Sequence, residues 1–214
     1  MSSAVRTLVL VRHGQSTDNE HNLFSGFRNP GLTARGVAEA KRAGRKLKEL
    51  GFHFDIAFSS KLDRAQHTLA LMLEQLEQAD LPVRSESALN ERDYGELSGL
   101  NKAEARSQWS PERVHLWRKS YDAVPPGGES LAMTAARTVP FYKEVLARSV
   151  QNGQRVLVVA HGNSLRSIVM HLEAMSPEAL MDFNITTSEI LIYRFSETGA
   201  VLGKTSVVAP STLG

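Results

Sequence analysis

Cysteine is absent from the 214-residue chain, which excludes disulfide bonds, thiolate metal sites and cysteine nucleophiles. Long apolar runs are also absent. The first one ends after four residues at Arg12, too short for a signal peptide, and none approaches the roughly 18 residues of a membrane-spanning helix. The 25 basic and 23 acidic residues nearly balance at +2, so charge gives no indication of nucleic-acid binding. We therefore expect a cytoplasmic protein with no membrane or nucleic-acid partner.

The rest of the composition is that of a globular protein. The chain is 42% hydrophobic and 22% charged, and it is long enough for one domain, or a core domain with an insertion, to bury a sizeable core. Short apolar runs alternate with amphipathic helical patterns, which is typical of an α/β sandwich with a mostly parallel sheet. The last strand is predicted over residues 189–195.

Two apolar strands in this pattern end in His-Gly. Residues 7–14 read Thr-Leu-Val-Leu-Val-Arg-His-Gly, and residues 155–162 read Arg-Val-Leu-Val-Val-Ala-His-Gly. A single histidine at a strand end is more often structural than catalytic, but the repetition favours a functional pair. Because ligands of open α/β sheets bind beyond the carboxyl ends of the strands, we expect His13 and His161 side by side at that edge, with Arg12 beside them.

Three segments between the two strands add charged groups. Ser60 and Asp63 have capping-box spacing, which predicts a helix directly after a short strand and places Arg64 in its first turn, near the strand ends. This position alone fits a surface arginine equally well. Glu91 lies in a loop rich in polar and aromatic residues. Residues 101–130 carry both tryptophans and several cations, and we interpret this segment as an inserted cap over the strand ends.

Capping signals place two later helices. Ser130 is expected to open a long helix that reaches about Val150, with a kink at Pro140. Asn163 or Ser164 is expected to cap the helix that follows the second His-Gly.

These residue types are sufficient for phosphoryl transfer without a metal. Two arginines, Arg12 and Arg64, offer paired hydrogen bonds to phosphate oxygens and can spread stabilisation over a transferring phosphoryl group. With that charge neutralised, an imidazole nitrogen can attack phosphorus in line and form a phosphohistidine. Glu91 is the candidate acid for the departing alkoxide and the base of the return step.

The same residues resemble the histidine phosphatase superfamily and, within it, the cofactor-dependent phosphoglycerate mutases that 2,3-bisphosphoglycerate primes. The resemblance runs from about Thr7 to about Tyr193. Its longest stretches, in the order that the family has them, cover residues 8–16, 90–95, 98–102, 125–130 and 160–166.

The resemblance implies a role for each candidate. His13 would be phosphorylated and Glu91 would be the acid–base group, while Arg12, Arg64 and His161 would hold the transferring phosphoryl group. The substrate-binding residues that it implies are Asn19, Ser25, Gly26, Tyr94, Lys102, Arg118, Lys119, Gly162 and Asn163.

The resemblance also implies an architecture and a setting. We expect a three-layer α/β/α sandwich with a mostly parallel sheet and a small helical cap insertion at about residues 96–130, in a single phosphoglycerate mutase-like domain over residues 1–214. The primer would be 2,3-bisphosphoglycerate without a metal, and the chain would form a homo-oligomer, either dimer or tetramer. The implied pathways are glycolysis and gluconeogenesis.

Four single positions depart from the family's pattern, and so does the run Thr186-Thr187-Ser188-Glu189, which stands where Pro-Thr-Gly is usual. Asp93 stands where histidine is usual, Glu96 where a small residue is frequent, and Asp18 where tryptophan is common. Lys119 replaces the second member of an arginine pair and keeps the charge but loses the bidentate fork. We expect these departures to affect substrate-loop detail and oligomer contacts more than the chemistry.

The leading prediction is a mutase that interconverts 2- and 3-phosphoglycerate through phospho-His13 and bound bisphosphoglycerate. It requires a second anion site, which Lys102, Arg118 and Lys119 can provide. The alternative is a phosphohistidine-dependent phosphomonoester phosphatase of the same superfamily, which passes the phosphoryl group to water.

Two further classes fit less well. A non-catalytic phospholigand-binding protein would be expected to lose His13, Glu91 or His161, and all three are present. A metal site is disfavoured because the two histidines have no third ligand at zinc-like local spacing and Arg12 repels a cation.

Overall fold

The structure, a computed structural model, describes residues 6–208 and contains a six-stranded sheet in the order β3-β2-β4-β1-β5-β6. Strands β3, β2, β4 and β1 run parallel to one another, and β5 and β6 are antiparallel additions at the β1 side. The predicted mostly parallel sheet is therefore confirmed. The strands are β1 (Arg6–Arg12), β2 (Ile56–Ser59), β3 (Val83–Ser85), β4 (Val156–Ala160), β5 (Ile190–Phe195) and β6 (Val201–Val207).

Helices connect the strands and pack on both faces of the sheet. They are α1 (Thr17–Glu20), α2 (Ala34–Glu49), α3 (Asp63–Leu76), α4 (Lys102–Trp109), α5 (Pro111–Lys119), α6 (Leu131–Phe141), α7 (Ala147–Gln151), α8 (Gly162–Leu172) and α9 (Pro177–Asp182).

The two faces of the sheet bury separate apolar cores. Because successive side chains of a strand point to opposite faces, Leu8 and Leu10 of β1 join the core under α7 and α8, whereas Val9 and Val11 join the core under α2 and α3. All four side chains are fully buried. Burial on both faces explains why the strand sequence is a continuous apolar run and makes the molecule a three-layer α/β/α sandwich, as predicted.

Parallel pairing of β1 with β4 sets the position of both histidines. In this ladder Arg12 lies opposite Ala160, so the residues that follow, His13 and His161, leave the sheet at the same edge. The prediction that the two strand–His–Gly units lie on neighbouring parallel strands is confirmed.

Two predicted helix caps are wrong. Helix α3 is capped by Leu62 without a side-chain hydrogen bond, and Ser60 lies further from the helix, where its Oγ accepts the Leu62 N–H at 3.1 Å. Helix α8 begins directly at Gly162 with His161 at the N-cap position. Capping spacing alone does not fix the length of the turn between a strand and a helix: the turn before α3 is two residues longer than the Ser60 cap predicts, and the turn before α8 is shorter than predicted. Arg64 nevertheless lies in the first turn of α3, as predicted.

Pro140 interrupts the long helix that Ser130 opens. The Ser130 side chain accepts the Met133 N–H, as expected for a cap. Pro140 has no N–H for the carbonyl one turn earlier, and a π-helical turn, Tyr142–Leu146, separates α6 from α7 immediately afterwards. At the predicted kink, the α-helix therefore changes to a π-helical turn.

Strand β6 follows β5, so the prediction that residues 189–195 form the last strand is wrong. None of its seven residues is buried, and its centre is Gly-Lys-Thr-Ser, which gives no apolar alternation to recognise. Backbone pairing with β5 holds it in the sheet.

Helices α4 and α5 lie within residues 101–130, the predicted cap insertion. Asn101 and Glu104 form a capping box at α4, and Ser110 caps α5 ahead of Pro111. The two helices share a small apolar cluster apart from the two main cores. Its buried members are Phe24, Leu97, Ala105 and Val114, and Tyr94, Trp109 and Trp117 pack against it.

Candidate active site

His13 and His161 face each other at the carboxyl edge of the sheet. Their ring centroids are 4.9 Å apart with the planes tilted by 59°. His13 Nδ1 lies 2.7 Å from the Gly14 carbonyl oxygen. Because a carbonyl can only accept, Nδ1 carries the ring proton and Nε2 carries the lone pair. Nε2 of His13 is therefore unprotonated and can act as a nucleophile.

Gly14 allows β1 to end against helix α2. A Cβ on Gly14 would lie 2.3 Å from the Gly36 carbonyl oxygen, so any larger residue would force the two segments apart. The Gly14 N–H donates to Thr68 Oγ1 at 3.0 Å, which ties the same turn to α3. The close packing against Gly36 and the hydrogen bond to Thr68 together fix the backbone next to His13.

Both imidazoles are held neutral. Burial lowers the pKa of His13 well below its usual value of 6.5, and the positive charges of Arg64 and Arg12 lower it further. Burial and the Arg64 charge lower the pKa of His161 in the same way. At neutral pH, His13 therefore needs no proton removal before it can act as a nucleophile.

Two arginines flank the pair, Arg64 buried and Arg12 partly buried. Arg64 donates from Nε to His13 Nε2 at 3.3 Å, and its other two nitrogens donate to the carbonyls of Arg28 at 2.8 Å and Gly26 at 3.0 Å. Burial lowers the pKa of Arg64 to about 10, which leaves it charged at neutral pH. Arg12 donates from Nη1 to the Ile185 carbonyl at 2.6 Å.

Glu91 is held at the start of helix α8 by one of its two oxygens. Oε1 accepts the backbone N–H groups of Arg92 at 2.9 Å and Asn163 at 3.0 Å. Oε2 faces Gly162, where it would lie 3.7 Å from a Cβ built on that glycine. The carboxyl group is thereby fixed in position, and Oε2 is left for proton transfer.

A cavity of about 210 Å³ opens over this arrangement. Among the described residues that line it, five are cationic and Glu91 is the single anion. His13, Arg64 and His161 lie behind the lining, each no more than 2% exposed. All nine residues that the resemblance assigns to substrate binding line the cavity: Asn19, Ser25, Gly26, Tyr94, Lys102, Arg118, Lys119, Gly162 and Asn163.

The family model described as "Histidine phosphatase superfamily (branch 1)" matches residues 8–207. The chain belongs to the histidine phosphatase superfamily. This assignment confirms the resemblance seen in the sequence and spans both strand–His–Gly units.

Curated members of the superfamily are similar over nearly the whole chain. A 2,3-bisphosphoglycerate-dependent phosphoglycerate mutase of Afipia carboxidovorans is 56% identical over 202 residues, which cover 94% of this chain and 98% of that protein. The mutase of the same name from Parvibaculum lavamentivorans is 51% identical over 201 residues, covering 94% and 96%.

Solved structures share the histidine phosphatase fold. Mycobacterial glucosyl-3-phosphoglycerate phosphatase in complex with VO3 has a TM-score of 0.80 at 24% identity, covering 95% of this chain and 98% of that one. The alpha-ribazole phosphatase of Shigella flexneri has a TM-score of 0.78 at 27% identity, covering 97% and 98%. The first of these similarities concerns the fold alone.

The cationic side of the site extends from Arg12 into α4 and α5. Lys102 donates to Asn22 Oδ1 at 3.1 Å, and burial together with the charges of Arg118 and Arg12 lowers its pKa. Lys119 donates to the Met181 carbonyl at 3.0 Å. Of the four single positions that depart from the family's pattern, Lys119 alone belongs to the described lining of the cavity. Asp18, Asp93 and Glu96 are not among the described residues that line the cavity.

Sequence reasoning missed Arg166 as a site residue. This buried arginine of α8 lines the cavity, donates from Nη1 to Asn163 Oδ1 at 3.1 Å and donates from Nη2 to the Leu180 carbonyl. Asn163 in turn donates from Nδ2 to the Tyr94 hydroxyl at 3.2 Å. The spacing of three residues between Asn163 and Arg166 puts both on one helix face, and that signal was available in the sequence.

Within residues 6–208, no group of three or more metal-ligating side chains is placed to hold a metal ion. No helix in the same range is long and apolar enough to cross a membrane.

Proposed function

We propose that this protein is a 2,3-bisphosphoglycerate-dependent phosphoglycerate mutase, which interconverts 2- and 3-phosphoglycerate in glycolysis and gluconeogenesis. The observation that carries the proposal is a cavity with five cations and one carboxylate, placed beside a buried histidine pair. Such a site suits a small substrate with anionic groups at both ends. The mutase relatives that are 51–56% identical over most of the chain support it.

His13 carries the phosphoryl group. Its Nε2 lone pair attacks one phosphorus of a bound bisphosphoglycerate in line, the bond from that phosphorus to the glycerate oxygen breaks, and phospho-His13 and a phosphoglycerate form. In the return step, phospho-His13 gives its group to the free hydroxyl of a phosphoglycerate and the nitrogen–phosphorus bond breaks. His13 then attacks the other phosphate of the bisphosphoglycerate so formed, which leaves the isomer. Because burial keeps the ring neutral, Nε2 is already a free lone pair before the substrate binds.

Arg12 and Arg64 stabilise the transferring group. Their guanidinium groups are fixed by carbonyl acceptors before substrate arrives, so they need little reorganisation when charge develops on the phosphoryl oxygens. Once Nε2 of His13 bonds to phosphorus, Arg64 Nε donates to a phosphoryl oxygen instead of to the ring. His161 lies on the other side of the group.

Glu91 moves the proton. Its Oε2 protonates the alkoxide that leaves when His13 is phosphorylated, and it takes a proton from the accepting hydroxyl in the return step. The two backbone N–H bonds to Oε1 keep the carboxyl group in one orientation through both steps.

The cations of the cap segment hold the other end of the substrate. We assign the glycerate carboxylate and the second phosphate to Tyr94, Lys102, Arg118 and Lys119, and the loop contacts to Asn19, Ser25 and Gly26, all of which line the cavity. Gly162 and Asn163 contribute the start of α8.

The site fits 2,3-bisphosphoglycerate as its primer. Among the residues that the structure describes, Arg12 Nε and His161 Nδ1 are buried without a hydrogen-bond partner, so polar groups remain for a bound phosphate. Lys102 and Arg118 would hold the second phosphate. When bound, the primer supplies the phosphoryl group that loads His13, and no metal is part of the proposal.

The second candidate is a phosphohistidine-dependent phosphomonoester phosphatase. The Lys119 bond to the Met181 carbonyl favours it, because a cation engaged elsewhere holds a second phosphate less firmly. Weak retention would let water take the phosphoryl group from His13.

One assay separates the two activities. The full-length chain is incubated with 3-phosphoglycerate and a trace of 2,3-bisphosphoglycerate, and 2-phosphoglycerate and inorganic phosphate are measured together. We expect primer-dependent formation of 2-phosphoglycerate. Release of phosphate without 2-phosphoglycerate would overturn the mutase in favour of the phosphatase.

Labelling identifies the nucleophile. With 32P-labelled 2,3-bisphosphoglycerate, the native chain should give an acid-labile, base-stable phosphoenzyme, and His13→Ala should give none. Persistent labelling of that variant would place the nucleophile elsewhere, with His161 the first candidate.

We also propose a cytoplasmic location, one domain with a cap insertion at about residues 96–130, and a homo-oligomer of two or four chains. Light scattering on the purified chain measures the assembly directly.

A further inference from the structure

Ser60 occupies a position that neither the capping pattern nor the proposed chemistry explains. It lies in the turn between β2 and α3, fully buried, with Oγ 2.7 Å from His161 Nε2. The same Oγ accepts the Leu62 N–H at 3.1 Å. The side chain therefore contacts the back of the imidazole that lies beside His13.

The hydroxyl group can satisfy its hydrogen bonds in only one way. It has one proton to donate, and the Leu62 N–H occupies one of its lone pairs. If His161 Nε2 also carried a proton, Oγ would accept twice, and within residues 6–208 its own proton would have no acceptor. A buried donor left without an acceptor is costly. Ser60 therefore donates to Nε2.

The ring proton of His161 must then be on the other nitrogen. Burial and the charge of Arg64 hold His161 neutral, and a neutral imidazole has a single ring proton. With Nε2 accepting from Ser60, that proton resides on Nδ1. In the part of the chain that the structure describes, Nδ1 is buried and has no hydrogen-bond partner.

We propose that Ser60 is a positioning residue that fixes His161 as the Nδ1–H tautomer, so that His161 donates a hydrogen bond to an oxygen of the transferring phosphoryl group. The opposite tautomer would present a lone pair to that oxygen and repel it. The tautomer itself follows from Ser60 and His161 alone, whereas its purpose rests on the function proposed above.

Nuclear magnetic resonance reads the tautomer directly. In the full-length native chain labelled with 15N-histidine, long-range 1H–15N correlation distinguishes protonated from unprotonated ring nitrogens, and the His161 signals are those lost in His161→Gln. We expect a protonated Nδ1 and an unprotonated Nε2. A proton on Nε2 would overturn the proposal, whether or not any variant folds.

A matched pair of variants tests the consequence. Ser60→Ala removes the donor to Nε2, whereas Ser59→Ala removes an equally buried hydroxyl that bonds the Ser60 carbonyl and Ser85 Oγ instead. Loss of one hydrogen bond in the transition state lowers a rate by about tenfold. We expect that loss in the rate of His13 phosphorylation for Ser60→Ala, together with loss of the single tautomer, and a near-native rate and tautomer for Ser59→Ala.

The outcomes separate this proposal from the proposed function. Equal rates for the two variants would overturn the role of Ser60. If the native chain has the Nδ1 proton and Ser60→Ala slows His13 phosphorylation but no 2-phosphoglycerate forms, the role of Ser60 stands and the mutase assignment fails.

Discussion

Arg64 Nε donates to His13 Nε2 across 3.3 Å, so a guanidinium group is directed at the lone pair of the proposed nucleophile. The two residues belong to the first turn of α3 and the end of β1, 51 positions apart in the chain. Carbonyl acceptors at Gly26 and Arg28 hold the rest of the guanidinium plane. The loop after β1 thus orients the arginine that in turn orients the imidazole.

Arg64→Lys should lower the rate of His13 phosphorylation by about 10²–10³-fold. Lysine keeps the charge but loses the planar set of donors, and removal of one donor that stabilises transition-state charge has roughly that cost. Rapid-quench measurement with labelled primer checks the rate. Arg84→Lys, at an exposed arginine that pairs with Glu86, is the control and should be near native. A rate for Arg64→Lys within twofold of native would show that charge alone suffices.

The buried neutral histidines should make the fold less stable as the pH falls below about 6.5. In the unfolded chain both rings gain a proton near pH 6.5, whereas in the folded chain their pKa values are well below that value. Their contribution to stability is therefore complete above pH 6.5 and is lost as pH falls toward the folded pKa values. Each ring adds a slope that approaches about 1.4 kcal/mol per pH unit.

Urea unfolding at a series of pH values between 7.5 and about 5 measures this slope. His161→Gln should remove the contribution of one imidazole to the slope of unfolding free energy against pH, even if the variant is less stable at every pH. His115→Gln, on the exposed part of α5, is the control and should leave the slope unchanged. An unchanged slope in His161→Gln would show that His161 is protonated in the folded chain.

The proximity of His13 to His161 could be predicted because it depends on a strong local pattern and one general rule. Two apolar strands end in the same dipeptide, and parallel strands end at a common edge. The partner of His161 could not be predicted in this way. Ser60 lies 101 positions away, and its spacing to Asp63 gave a plausible cap that the structure does not use. Only the order of β2 beside β4 brings the hydroxyl to the ring.

The cavity lining likewise contains residues that sequence motifs identify and one residue whose contacts depend on how distant segments pack. The resemblance supplied the nine substrate-binding residues that line the cavity, as well as Arg12 and Glu91, but it assigned no role to Arg166, whose contact with the Leu180 carbonyl depends on where α9 packs. Strand β6 was missed for a related reason, since its place in the sheet comes from backbone pairing with β5 and not from its exposed side chains.

Arg118→Ala should reduce mutase turnover more than phosphatase turnover. Arg118, on α5, lines the cavity, and its proposed role is to retain the second phosphate. We expect the ratio of 2-phosphoglycerate formed to phosphate released to fall by about tenfold, the effect of losing one charge-assisted hydrogen bond. Both products are measured in one reaction mixture.

Arg113→Ala, at an exposed arginine of the same helix, is the control for a general effect on α5. It should keep the native product ratio. Equal losses of both activities in Arg118→Ala would contradict a role in holding the second phosphate and would point to a role in the chemistry at His13.

Glu91→Gln should show an effect that depends on the leaving group. Glutamine keeps an oxygen for the N–H groups of Arg92 and Asn163, so the geometry at the start of α8 is retained while the proton donor is lost. An alkoxide such as that of phosphoglycerate needs a proton as it leaves, whereas a nitrophenolate leaves without one. General acid catalysis contributes about 10²–10⁴-fold, and phosphorylation of His13 by 2,3-bisphosphoglycerate, which releases the phosphoglycerate alkoxide, should slow by that factor.

With 4-nitrophenyl phosphate, the same variant should form the phosphohistidine at a rate within about threefold of native, since the step that Glu91 assists is no longer limiting. Burst kinetics of nitrophenolate release measure this rate for the native chain and the variant side by side. An equal loss with both substrates would mean that Glu91 supports the site through its hydrogen bonds and not through its proton, and the acid would then have to be sought among the other groups that line the cavity. A loss confined to bisphosphoglycerate can arise only if the carboxyl group delivers the proton, because the two reactions share His13 and both arginines.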